Sequence, residues 1–203
     1  MPRPLAVVFD VGNVLYAWNP RVLYERLIDD RALDAFLRDV TTLDWHFQHD
    51  AGRPFAETSA ELVAEYPQHA DLIARWGPHF GDSITGMMPG MRELVADLDA
   101  TGVPLYAITN FSGEFWVPFR ARETALFDRF RGIVVSGDEK LSKPDAAIYL
   151  LALERFGLAA EDAVFVDDRL DNVEGARAVG MHALLFTDAE TLRRDLADLG
   201  IIA

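Results

Sequence analysis

The chain has 203 residues, half of them hydrophobic and 26% charged, with 33 acidic against 19 basic side chains and a formal net charge of −14. That length suits one folded core with room for a small insertion, and the negative field opposes nucleic acid and anionic membranes as partners. There is no cysteine, so disulfides, thiol catalysis and thiolate zinc sites are excluded.

No charge-free apolar run reaches the roughly 18 residues that a membrane helix needs. The longest candidate, 101–113, is too short and carries Pro104 and Asn110. The apolar N-terminal stretch is interrupted by Asp10 with no small-residue cleavage site after it, so no signal peptide is expected and a cytoplasmic location is.

The first predicted element is a strand, LAVVFD (5–10), which ends on Asp10. Residues 16–88 then read as helical, with patterns over 22–28, 32–40, 56–66 and 70–76 and no convincing buried strand. Next comes a helix over 91–100, with Met91, Leu94, Val95 and Leu98 on one stripe and Gly102 and Pro104 as its stop. Four more short strands follow: VPLYAIT (103–109), GIVVSG (132–137), AVFVDD (163–168) and HALLFTD (182–188). Each is rich in Val, Ile, Leu or Phe and bounded by turn formers, as doubly buried parallel strands are. A helix over 145–156 follows Pro144 and stops at Gly157; another over 172–179 stops at Gly180.

This alternation predicts an α/β fold: a doubly wound, parallel, Rossmann-like sheet of five core strands with right-handed crossovers and an inserted α-helical cap. The core would comprise residues 1–15 and 89–203, and the cap residues 16–88.

In such a sheet, ligands bind beyond the carboxyl ends of the strands. The residues there are Asp10, Gly12 and Asn13; Thr109 and Asn110; Lys143, just before a helix; and Asp167 and Asp168, then Asp171 and Asn172. Clustered acids need a cation, and an oxygen-only donor set suits Mg²⁺. Thr109 offers a hydroxyl, and Lys143 a point charge for an anion. An aspartate in this position can act as a covalent nucleophile. An anionic substrate would need positive charge here, because the protein as a whole repels it.

Four segments in order, FDVGNVL (9–15), ITN (108–110), KP (143–144) with IY five residues after the lysine, and VFVDDRLDNVEGARAVGM (164–181), resemble the haloacid dehalogenase-like hydrolase superfamily. The resemblance covers the whole chain, and cap placement matches the helical-cap subclass. The last segment is similar to the phosphatase domain of soluble epoxide hydrolases. The chain as a whole is most similar in look to small bacterial sugar-phosphate phosphatases acting on glucose-1-phosphate.

The resemblance implies roles residue by residue. Asp10 would be nucleophile and metal ligand, with the Gly12 carbonyl a second ligand. Thr109 and the Asn110 backbone would bind phosphoryl oxygens, and Lys143 would balance the charge. Asp168 would ligate Mg²⁺, with Asp167 a direct or water-mediated ligand. The expected partner is a small phosphorylated metabolite; the oligomeric state is not readable.

One position departs from the pattern. Phosphatases of this superfamily usually carry a second aspartate two residues after the nucleophile, as acid and base; here Gly12 stands there. General acid catalysis contributes about 10²- to 10⁴-fold. Either the leaving group needs little protonation, or an acid comes from the cap or the substrate.

Other features have plainer readings. Asp171 fits a helix N-terminus favoured by the dipole. His46 and His49 lack a third metal ligand, while Trp45 and His46 are expected to reach the substrate from the cap. NFSGEFW (110–116) reads as a rim or cap-docking surface, and Arg53 and Arg120 as surface residues. Two rival functions share the fold. One is metal-independent 2-haloacid dehalogenation through Asp10, in which acids at 167 and 168 would be idle. The other is a catalytically weak binding protein.

Overall fold

The computed structural model describes residues 6–202. Five strands form a parallel sheet: β1 (Ala6–Phe9), β4 (Leu105–Thr109), β5 (Gly132–Val135), β6 (Ala163–Asp167) and β7 (His182–Leu185), in the order β5-β4-β1-β6-β7. Leu5, expected to open the first strand, lies outside the described residues. β1 is central, flanked on one side by β4 and on the other by β6, with Phe9 level with both Ala107 and Val166. The strand order therefore reverses at β1, and the crevice beyond its carboxyl end is where a doubly wound sheet takes a ligand.

Alternation along β1 builds two cores. Val7 and Phe9 join one apolar cluster, and Ala6 and Val8 the other, all fully buried. Helix α5 (Met91–Thr101) packs on the first face through Met91, Leu94, Val95 and Leu98, all buried. Burying each such side chain contributes about 1.5–3 kcal/mol as an upper estimate. Gly102 then ends the helix at φ 81°, where a side chain would be strained. Helices α9 (Ala146–Phe156) and α10 (Leu170–Ala178) cover the second face, through Ile148, Tyr149, Val173 and Ala176.

The insertion between β1 and α5 carries α1 (Asp30–Asp39), α2 (Leu43–Asp50), α3 (Phe55–Glu65) and α4 (Ala70–His79). It differs from the sequence reading in two ways. Residues 22–28 make no α-helix: a 3-10 turn over Pro20–Leu23, capped by Asn19, is followed by turns. And the insertion is entered and left through an antiparallel pair, β2 (Tyr16–Trp18) and β3 (Ile84–Met87). These strands are three and four residues long, half-exposed and broken by Gly86 at φ 138°. They therefore carry none of the buried apolar run by which the core strands are read.

Three helices beyond the expected set are α6 (Gly113–Arg122), the short α7 (Thr124–Phe127) and α8 (Ser136–Glu139); a fourth, α11 (Ala189–Asp198), starts at the Asp188 cap. Helix α6 docks the insertion on the core. Phe115 stacks on Phe80 at 4.7 Å and meets Phe55 edge-on at 5.9 Å. Glu114 accepts from the Phe55 N–H at 3.2 Å. Among the described residues, no helix is long and apolar enough to cross a membrane.

Candidate active site

The site grows from the turn after β1. Asp10 donates its N–H to Val166 O at 2.8 Å, which continues the sheet by one residue. The chain then folds back, with the N–H groups of Leu15 and Tyr16 both bonding Val11 O. Asn13 takes the left-handed conformation at φ 55°, one that asparagine tolerates, and its side chain accepts from the Trp18 N–H at 3.1 Å. Gly12 needs no such freedom: its φ is ordinary, and a Cβ there would meet nothing within 4 Å.

Lys143 brings the other motifs to Asp10. Its Nζ lies 2.8 Å from Asp10 Oδ1 and 2.7 Å from Asp167 Oδ2, with the ammonium wholly buried and 5.4 Å from the centre of the Phe165 ring. Asn110 fixes the lysine backbone reciprocally, donating from Nδ2 to Lys143 O at 3.0 Å and accepting the Lys143 N–H at 2.9 Å. Asp167 is fully engaged. Besides Lys143 it accepts from the Arg169 N–H at 2.9 Å and from Asn172 Nδ2 at 3.0 and 3.1 Å on its two oxygens. Tyr149 in turn donates to Asn172 O at 2.8 Å. Asp10 Oδ1 also accepts the Val11 N–H at 2.6 Å, so the carboxylate is held through one oxygen.

Carboxylate oxygens of Asp10, Asp167 and Asp168 lie within 4.8 Å of one another. Burial, the largest cause, pushes the Asp10 carboxyl up to about 7; Lys143 pulls it down, and Asp167 and Asp168 push it up. Burial and Asp167 also raise Asp168, against Lys143. Burial opposes the charge on Lys143, but Asp10 and Asp167 hold its ammonium above the usual range. One ammonium thus serves three carboxylates, and a hard cation would relieve the excess. Since Asp167 spends both oxygens on hydrogen bonds, the side chains best placed to ligate are Asp10 and Asp168, and Gly12 lines the same cavity.

The cavity holds about 530 Å³. Asp10, Gly12, Asn110, Lys143 and Asp168 line its core side; Trp18, His46, Phe47, Asp50, Phe80 and Ile84 line the cap side. Thr109 ends β4 with a buried hydroxyl that has no partner, and does not itself reach the wall. Of the two cap expectations, His46 lines the cavity and stacks on Trp18 at 4.8 Å. Trp45 does not: its indole donates to Thr58 O at 3.2 Å and packs on Trp76 and His49 inside the cap, because residues 45 and 46 leave the helix about 100° apart.

His49 binds Thr58 Oγ1 at 2.7 Å inside the cap while His46 lines the cavity, and among the described residues neither joins a group of three metal-ligating side chains. Asp171 is on the wall, but its carboxylate is taken by Arg169 at 3.1 and 2.7 Å. Arg53 pairs with Glu61 and Arg120 with Asp128 at the surface. Sequence reasoning missed Asp50, Trp18 and Phe80, for which no local motif signals a wall position.

Residues 4–180 match the model of the haloacid dehalogenase-like hydrolases, so the chain belongs to that family and is a hydrolase. It is similar to a sesquiterpene phosphatase of Aspergillus oryzae, 29% identical over 96% of this chain and 95% of that protein. Some other curated relatives are much longer, and the chain spans 36% and 19% of two of them. In structure it is similar to a family enzyme of Bacteroides thetaiotaomicron solved with magnesium and inorganic phosphate, with TM-score 0.72 at 16% identity over 91% and 95% of the two chains. It is also similar to the L-2-haloacid dehalogenase of Xanthobacter autotrophicus, with TM-score 0.65 at 19% identity over 97% and 83%. At these identities the two structures support the fold.

Proposed function

We propose that the protein is a Mg²⁺-dependent phosphatase of small phosphomonoesters that works through an aspartyl phosphate on Asp10. The observation that carries this is the buried relay Asp10–Lys143–Asp167, with Asp168 adjoining it. A single lysine fixes the nucleophile and is itself fixed, while a cluster of acids remains that only a cation suits. Bound between Asp10, Asp168 and the Gly12 carbonyl, Mg²⁺ would neutralise the phosphoryl oxygens and the acids together.

The chain's own groups divide the work. Asp10 is fixed through Oδ1, which accepts from Val11 and Lys143, and its carboxylate supplies the oxygen that bonds phosphorus. Lys143 is positioned to balance the charge on phosphoryl oxygens in transfer. The Thr109 hydroxyl at the end of β4 is buried and unpartnered behind the cavity wall, and would have to turn toward the cavity to serve those oxygens. Water then cleaves the acyl phosphate at phosphorus and restores the Asp10 carboxylate.

The resemblance points to a sugar phosphate. The cap wall points to a leaving group with an apolar body, since Trp18, Leu43, Phe47, Phe80 and Ile84 dominate it. The name of the Aspergillus relative agrees with such an alcohol. Dehalogenation is disfavoured by Asp168, which would repel a haloacid carboxylate, and a mere binding role by the intact Asp10–Lys143 pair. The test is phosphate release from p-nitrophenyl phosphate, glucose-1-phosphate and an isoprenoid monophosphate, with Mg²⁺ and with EDTA, beside chloride release from 2-chloropropionate. Metal-dependent phosphate release, lost in Asp10→Asn, supports the proposal; chloride release in EDTA overturns it.

A further inference from the structure

Position 12 holds no acid, yet an alkoxide leaving group needs a proton. Eight titratable side chains among the described residues line the cavity: Asp10, Tyr16, His46, Asp50, Lys143, Asp168, Arg169 and Asp171. Tyr16 already donates its hydroxyl to Glu123 Oε2 at 2.6 Å, and burial and that acid hold its phenol well above the usual range. Asp10 is the nucleophile, and Asp168 belongs with the cation. Lys143 is clamped between Asp10 and Asp167, and Arg169 and Asp171 satisfy one another. His46 is held neutral by burial and by His49, down to about 3. That leaves Asp50.

Asp50 is the last residue of α2, and it is pinned to the core rather than to the cap alone. Ser136 Oγ donates to its backbone carbonyl at 2.5 Å, and the Ser112 N–H bonds its carboxyl. Its Oδ2 lies 3.5 Å from His46 Nε2, a neutral ring. The side chain is 7% exposed and its charged-group contact is with the neutral His46 ring, so the neutral acid is its stable form. Burial, the largest cause, pushes it up to about 8; Ser112 lowers it, Asp10 raises it and Lys143 lowers it.

We propose that Asp50 is the proton donor to the leaving-group oxygen, supplied by the cap in place of the acid missing at position 12. This rests on the phosphatase reading above. As Asp10 bonds phosphorus and the P–O bond breaks, the leaving alkoxide takes the Asp50 proton and departs as the alcohol. The Asp50 carboxylate then takes a proton from water as that water attacks phosphorus, which returns inorganic phosphate, the Asp10 carboxylate and a protonated Asp50.

The test compares kcat/KM, with Mg²⁺ present, for p-nitrophenyl phosphate, whose leaving group needs little protonation, and 2-phenylethyl phosphate, whose leaving group needs a proton. Asp50→Asn is expected to lose about 10²- to 10⁴-fold on the alkyl ester and less than about tenfold on the aryl ester. Adding Gly12→Asp, for which the structure has open space, is expected to restore the alkyl ester by at least about tenfold. Equal losses on the two esters, no loss, or no restoration would overturn the proposal.

Should Asp50→Asn fail to fold, Gly12→Asp alone decides. With Asp50 already donating, it leaves the preference between the esters nearly unchanged, and a selective alkyl gain of about 10²-fold contradicts the proposal. If the unaltered chain hydrolyses neither ester, the phosphatase reading falls and this one with it. If it hydrolyses both and Asp50→Asn slows them equally, only this one falls.

Discussion

Lys143 Nζ lies 2.8 Å from Asp10 Oδ1, and the lysine side chain is wholly buried. Among the described residues, the other charge it touches is Asp167, at 2.7 Å. The contact ties the third motif to the first across the switch point of the sheet. It makes the position of Asp10 depend on a residue 133 positions away, 143 less 10.

Lys143→Met should therefore damage activity and stability together. Removing one partner of a buried ion pair costs about 3–5 kcal/mol, and losing a charge that stabilises transfer costs about 10²- to 10³-fold in kcat. Lys143→Arg should not rescue, because a broad planar guanidinium does not reproduce the point charge set 2.8 Å from Asp10 and 2.7 Å from Asp167. Urea melts and p-nitrophenyl phosphate turnover check both; a stable, active Lys143→Met protein would contradict the relay.

Mg²⁺ should raise the melting temperature of the unaltered chain relative to EDTA. At a hundredfold excess over Kd, a ligand adds about 2.7 kcal/mol. Asp168→Asn should abolish that shift, whereas Asp167→Asn should chiefly lower the baseline stability through Lys143. A full Mg²⁺ shift in Asp168→Asn would move the cation elsewhere.

Acid should act against the two buried histidines of the cap. Burial and Arg53 hold His49 down at about 4, and burial and His49 hold His46 at about 3, against 6.5 for a free imidazole. Below pH 6.5 the unfolded chain binds protons that the native chain refuses. Each histidine's contribution is thus full above 6.5 and is lost as pH falls toward those values, by about 1.4 kcal/mol per unit per histidine. Asp50 and Asp10, held up at about 8 and about 7 chiefly by burial, act in the opposite sense between pH 7 and 5, so the histidine contribution is read as a difference between variants. Urea midpoints at pH 7 and 5 are compared for the unaltered chain and His49→Gln, which should lose less stability, or gain more, on acidification. An equal pH dependence in that variant would contradict the assignment.

Gly175 in α10 lets the helix approach the lysine loop. A Cβ there would lie 2.5 Å from Pro144 O and 3.1 Å from Tyr149 Cε2. Glycine to alanine inside a helix ordinarily gains about 1 kcal/mol. Here overpacking should win, at about 1–3 kcal/mol, and it should displace Lys143. Gly175→Ala with higher stability and full activity would show that the loop yields freely.

The core was readable in the sequence because its three central strands, β4, β1 and β6, are buried on both faces, as in VVF (7–9) and VFV (164–166). The acids and lysine at their ends could then be placed by topology alone. The cap was less readable. Its strands β2 and β3 are short and half-exposed, and residues 43–50 mix polar and aromatic side chains without an apolar stripe. Trp45 and His46 are neighbours in sequence, but one faces the cap interior and the other the cavity. Asp50 could not be singled out, since its meaning comes from Ser112 and Ser136, far away in the chain.

The central claim is that phosphorus passes through Asp10. Its most direct measurement is acid quenching during steady-state turnover with Mg²⁺, followed by peptide mass mapping. The account predicts a phosphoryl group on the peptide that contains Asp10, absent from Asp10→Asn, which should also be inactive. Steady phosphate release with no phosphorylated peptide, undiminished in Asp10→Asn, would contradict it.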